Sequence, residues 1–321
     1  MFCLKGKVIK MLVNSLSGKS FLAQIILGIV FLVLFYFKIH SFIIDWESIV
    51  GISLFLLTII LTFIFFRISS LVKFQGFALW FYAIWMLCFS EIAIDLRFTA
   101  SLLTCTIIFW RLIEAEQTPE NIRFLFDIGL LLSIAGFFYP PSFFLIGFLL
   151  FVFLYMRSVN LKGLIIFLIG FTLPLVVGIQ ILYLIGQMDW LNSYQFAFCL
   201  DFWSYPLWGF IPLVILLLIC WTDHLAQSTA QDIHKRRKYF LSFLYFINWI
   251  VILVLYGNEN LNLLAFLGLP ISIFLVRFTQ YQQSKKTKEI LLWLYLAIVA
   301  GFYFRYEIIE IYDDLLGNVA F

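Results

Sequence analysis

Long uncharged apolar runs recur along this chain, and they leave little it can become except a bundle of membrane-crossing helices. The runs are Phe21–Phe37, Ser48–Phe66, Phe74–Ser90, a shorter Phe98–Trp110, and a stretch from Ile128 to Met156. Gly163–Ile185, Pro206–Thr222, Tyr239–Tyr256, Asn260–Val276 and Ile290–Phe304 follow. A hydrocarbon core of about 30 Å takes about 20 residues of helix, and helix is required because backbone amides left unpaired in lipid are too costly. Composition agrees: 64% of the residues are hydrophobic and 12% charged, against about a quarter charged in a soluble domain. The stretch Ile128–Met156 is too long for one span. Pro140 and Pro141 remove two amide donors near its middle, so it reads as two helices turning at Tyr139–Ser142. The prediction is an all-α polytopic protein of about eleven transmembrane helices, with one transmembrane domain over 21–306.

Charge then orients the bundle. Threaded through a bilayer with the N-terminus in the cytoplasm, eighteen of the twenty-one Lys and Arg residues fall on the inner side, leaving Lys38, Arg97 and Arg305 outside. Every inner loop holds at least two cations and no outer segment more than one, the bias that sets membrane orientation. The C-terminus is therefore expected on the outer side, where 307–321 forms a short acidic tail. Residues 1–20 are basic and precede an apolar run with no clear small-residue cleavage point, so they are expected to form a cytoplasmic lead-in helix on the membrane surface.

Several chemistries find no pattern here. The cysteines at 3, 88, 105, 199 and 220 show no CxxC spacing, and His40, His224 and His234 fall on both sides of the membrane, so neither a metal site nor a redox pair is signalled. No segment is long and polar enough to be a soluble domain, and nothing marks a nucleic-acid partner; membrane lipids are the expected surroundings. Matching broken helices, the mark of many transporters, are absent as well.

Eleven of the eighteen acids collect on the outer side. Acids are not selected against there as cations are, which explains most of them. Four in the first two outer loops invite more: Asp45 and Glu47, then Glu91 and Asp95. Glu91 and Asp95 are four apart and would share a face of a helix beginning near Ile92, with Asp95 and Arg97 in its outermost turns. Ionisable groups at that depth are paired or functional. The segment Asp189–Trp208 mixes aromatic and hydrogen-bonding groups, among them Trp190, Tyr194, Asp201 and Trp203. Such a mixture fits a sugar, and it fits the commoner interfacial re-entrant helix. On the inner side, Thr118 and Pro119 read as a helix start, with Arg123 and Asp127 one turn apart as a pair.

The order of these features resembles the core of the C-type membrane glycosyltransferases (GT-C). The resemblance runs over about residues 20–185: Glu91 and Asp95 outside, a helix, the polar turn Arg111–Arg123, a Gly-containing helix Phe124–Phe138, the turn Pro140-Pro141-Ser142, a helix closing at Arg157, and another with Pro174. It implies an outward-facing active site that takes a sugar from a polyprenyl-phosphate carrier. Asp45 or Glu47 would serve as base or metal ligand, joined by Glu91 or Asp95. Arg97 or Arg305 would face the phosphate, Trp190, Tyr194, Asp201 and Trp203 would contact substrate, and a divalent cation would be present if the carboxylates converge. The chain departs from that pattern in its short first outer loop, Lys38–Glu47, in the lack of an outer soluble domain, and in prolines where many relatives carry lysine. The whole chain also looks like a family of multi-pass inner-membrane proteins of Bacteroidota with no established activity. The alternative expectation is a non-catalytic subunit scaffolding an envelope complex with a membrane-protein partner; a transporter ranks last, since the helix centres are almost free of charge.

Overall fold

The computed structural model describes 21–40, 42, 45–69, 71–72, 75–115, 122–156, 161–186, 188, 207–227, 233–256, 261–282 and 284–304. Among the described residues there are eleven α-helices and no strand. They are α1 (Phe21–Ile39), α2 (Trp46–Ile68), α3 (Gln75–Cys88), α4 (Leu96–Ala115), α5 (Ile122–Phe138), α6 (Leu145–Met156), α7 (Leu161–Ile185), α8 (Leu207–Gln227), α9 (Ile233–Tyr256), α10 (Gly268–Tyr281) and α11 (Lys285–Tyr303). Three 3₁₀ segments, Ser90–Ile94, Pro140–Phe144 and Leu261–Leu267, lie between them. Five helical segments are long and apolar enough to cross a membrane: Trp46–Ile68, Leu96–Glu114, Leu161–Ile185, Ile233–Tyr256 and Asn262–Tyr281. Three of these, α2, α7 and α9, leave large apolar side chains uncovered, as at Ile60 in α2, Ile169, Val176 and Leu184 in α7 and Val251 in α9, a surface suited to lipid rather than water.

The paired prolines break the long apolar stretch where their missing amides require. Helix α5 ends at Phe138, Pro140 opens the 3₁₀ turn, and α6 begins at Leu145. The two helices then take different partners: α5 packs between α4 and α7, and α6 against α9. Contact of α5 with α7 is close enough to need glycine. A Cβ on Gly129 would stand 2.3 Å from the Phe167 carbonyl oxygen, and one on Gly170 would stand 2.4 Å from that of Phe126. Small residues at such crossings let helix backbones approach, which is how helices associate when lipid is as apolar as the side chains.

Helix α10 is the axis of the bundle. Every residue from Gly268 to Thr279 is buried, whereas α7 has only Gly163, Phe167, Gly170 and Leu182 buried over its whole length. Helices α3, α8 and α9 surround it. Polar anchors fix α3 to the neighbours that follow late in the chain. The Trp85 indole N–H donates to the Leu264 carbonyl at 2.9 Å, and its ring meets Gly268 where a Cβ would lie 2.6 Å from Cδ1. The Tyr295 hydroxyl donates to the Phe81 carbonyl at 2.7 Å, joining α11 to the same helix.

At the far end of α2 from Asp45 the bundle is basic. The Arg277 guanidinium lies 3.4 Å from the centre of the Tyr239 ring and 5.3 Å from that of Tyr281, and the Tyr239 hydroxyl donates to the Leu71 carbonyl. The Asp127 carboxylate lies 3.7 Å from Arg111, a pair that crosses from α5 to α4. Thr118 and Pro119 lie outside the described residues.

Candidate functional site

Two loops of the same end build the site. Asp45 ends the first of them as the N-cap of α2: its Oδ1 accepts from the Ser48 amide at 2.8 Å and from the Ser48 hydroxyl at 2.6 Å. Those bonds, the hydroxyl's foremost, hold its carboxyl below the usual carboxylate range, because they favour the charged form. Glu47 follows in the first turn, exposed, at the positive end of the helix dipole.

The second loop is not a helix start near Ile92. Ser90–Ile94 is a 3₁₀ turn and Asp95 is extended, at φ −86 and ψ 103, so α4 begins only at Leu96. Glu91 and Asp95 therefore do not share a helix face. Asp95 instead caps α4, its Oδ1 accepting from the amides of Arg97 at 2.9 Å and Phe98 at 3.2 Å. The 3₁₀ turn is seated on α2 by Gly51, where a Cβ would lie 2.5 Å from the Ala93 carbonyl oxygen. That glycine brings the two loops together.

Glu91 pairs with Lys38, Nζ to Oε1 3.6 Å, with side chains only 14% and 16% exposed. Lys38 also donates to the Tyr303 carbonyl at 3.4 Å and stands 5.2 Å from the centre of the Tyr303 ring. A lysine at the last turn of α1 is well placed, since cations are favoured at helix C-termini. Sequence reasoning missed Lys38 as a site residue; its signal was that it ends an apolar run as one of three cations on the acidic side.

Together these loops form an open cleft of about 400 Å³ lined by Phe42, Glu47, Glu91, Ile94, Asp95, Leu96 and Arg97. Of the expected site residues, the structure thus brings Glu47, Glu91, Asp95 and Arg97 to one cleft. Asp45 caps α2 beside it and is not part of the lining. Arg305, Trp190, Tyr194, Asp201 and Trp203 lie outside the described residues. Among the described residues no three Asp, Glu, His or Cys side chains gather closely enough to hold a metal ion. A hard cation needs several oxygens around one point, so the acids here share a cleft without forming a ligand set.

What the cleft offers chemically is mixed charge at a rim between polar and apolar surface. Carboxylates facing open volume can accept a proton or a hydrogen bond from a hydroxyl, and Arg97 can face an anion. No characterised protein and no solved structure matches the chain. The model of a family of unknown function, DUF6427, does match it over residues 11–312, and the chain belongs to that family.

Proposed function

We propose that this is a multi-pass protein of the bacterial inner membrane, N-terminus in the cytoplasm and C-terminus in the periplasm, that transfers sugar from a polyprenyl-phosphate carrier at its outer face as a reduced GT-C-type glycosyltransferase. The observation that carries the reading is the meeting of Glu47, Glu91, Asp95 and Arg97, from separate loops, on one open cleft. The eleven helices embed in the bilayer, and the distribution of Lys and Arg supports the orientation.

In this reading Glu47 is the base. Asp95 already serves α4 as a cap and Glu91 is tied to Lys38, whereas Glu47 faces the cleft from the first turn of α2. It takes the proton of an acceptor hydroxyl as that oxygen bonds to the anomeric carbon. The bond from that carbon to the carrier phosphate breaks, and its electron pair leaves with the phosphate. Arg97 offsets the charge that develops there. The expected outcome is that Glu47→Gln abolishes a surface-glycan phenotype while protein abundance stays level; full glycans in cells carrying Glu47→Gln, Glu91→Gln and Asp95→Asn together would sink the reading.

A second reading, a non-catalytic subunit that scaffolds an envelope complex, has its own observation: Asp45 and Asp95 are caps and Glu91 is paired, so three of the four acids have structural work. It requires a membrane-protein partner that copurifies in mild detergent. Purification of the chain alone under all such conditions counts against it.

A further inference from the structure

Two donors at the basic end of the bundle have no partner among the described residues. Lys238, in the second turn of α9, is only 7% exposed, yet its ammonium makes no ion pair and no hydrogen bond. Gln280, near the end of α10, has its Nε2 buried with no hydrogen-bond partner. Between them in this corner is Arg277: it precedes Gln280 by three residues on the same helix face, and its guanidinium lies 3.4 Å from the centre of the ring of Tyr239, the residue after Lys238. Tyr239 is itself held to the Leu71 carbonyl through its hydroxyl. An ammonium, a guanidinium and an amide N–H₂ can only donate. The corner is thus built of donors, and lysine is almost never buried this far unless something pairs it.

We infer that Lys238, Arg277 and Gln280 form a site for the phosphate of an anionic phospholipid. It lies at the opposite end of the bundle from the acidic cleft and stands whether or not that cleft transfers sugar. Charge selects the anion, because His234, Lys235, Arg236 and Arg237 lie exposed on the turn that leads to Lys238 and make the approach basic. A phosphate accepts from all three donors and offsets both buried cations. Stacking on Tyr239 uses the face of the Arg277 guanidinium and a phosphate uses its edge, so the two contacts are compatible. The surroundings favour a lipid over a phosphate dissolved in water: on the same helices that bring the cations, Ile233 and Ile290 are each 65% exposed and Trp293 is exposed beyond them. Apolar side chains, an indole and cations together match the boundary between head groups and acyl chains, where basic pockets between helices hold anionic lipids. In the proposed orientation this is a lipid of the inner leaflet.

The test is thermal unfolding of the full chain in neutral detergent with phosphatidylglycerol, phosphatidylcholine or inorganic phosphate added at equal concentration. Phosphatidylglycerol is expected to raise the melting temperature by about 4 °C or more, and the other two by under about 1 °C. Lys238→Met keeps the length of the buried stem and removes the charge, so without lipid it should melt at or above the parent, and it should lose most of the response to phosphatidylglycerol. Gln280→Leu should lose about half of that response. Lys162→Met, which removes an exposed cation from α7, should keep all of it. A Lys238→Met protein that melts well below the parent without lipid would show that the ammonium already has a partner, and would overturn the inference. So would equal losses in Lys162→Met and Lys238→Met, which reduce the effect to overall charge, or a rise with phosphatidylcholine or inorganic phosphate as large as that with phosphatidylglycerol.

Discussion

Asp45 and Asp95 each stand one residue before a helix and accept amides of its first turn, so their type is dictated locally before any chemistry is asked of them. Asn caps as well as Asp, and Ala does not. Asp95→Asn is therefore expected to leave the melting temperature nearly level, while Asp95→Ala costs about 1 kcal/mol, measured by thermal unfolding in detergent. Asp45 adds a dependence on pH. Its folded carboxyl titrates below the ordinary value of 3.8, so its stabilisation is complete above that value and is lost as pH falls through the lower, folded one. Melting temperature followed from pH 6 downward should fall less steeply in Asp45→Asn than in the parent; parallel curves would refute the cap's contribution. Both caps could have been read from an acid next to a helix start. What the residues alone hid was Lys38, because its partner Glu91 comes from a loop two helices later and only folding brings them together.

At the scale of elements, the apolar runs announced where helices form, and the paired prolines announced where one long run must break. The run Phe98–Trp110 is short for a span and so argues for a fourth helix starting near Ile92, whereas a 3₁₀ turn and an extended Asp95 hold its start to Leu96. Which faces meet was not legible, since a glycine in a lipid-facing stripe and one under a carbonyl look the same in sequence. Gly28 and Gly147 have open space where a Cβ would go; Gly129, Gly170 and Gly51 do not. Gly170→Val should force α5 and α7 apart at a cost of about 1–3 kcal/mol, the usual range for overpacking, while Gly147→Ala stays near the parent. Gly51→Val should lift the 3₁₀ turn from α2 and part Glu91 from Lys38. With cysteines at 38 and 91, a bifunctional thiol reagent is expected to bridge them in the parent background, and an unchanged yield in Gly51→Val would show that the glycine does not hold the loops together.

Seen whole, the molecule has a basic end around Arg277 and an acidic cleft at the other, and the proposed orientation places the cleft outside. Alkaline phosphatase fused after Phe321 should be active, and green fluorescent protein at the same point dark; the reverse pattern would invert the topology. The burial of α10 has a consequence for how such a chain is made. Though apolar enough to span, the helix carries Ser272, Arg277 and Thr279, all buried, and it is sheathed by α3, α8 and α9. All three of its neighbours are synthesised before it. Among the described helices the innermost comes tenth in chain order, after the three that sheath it, so it enters a slot that they have already lined. Until that moment the slot stands open to lipid, so a chain cut short before Gly268 would present an unfilled seam, the kind of surface that membrane quality control removes.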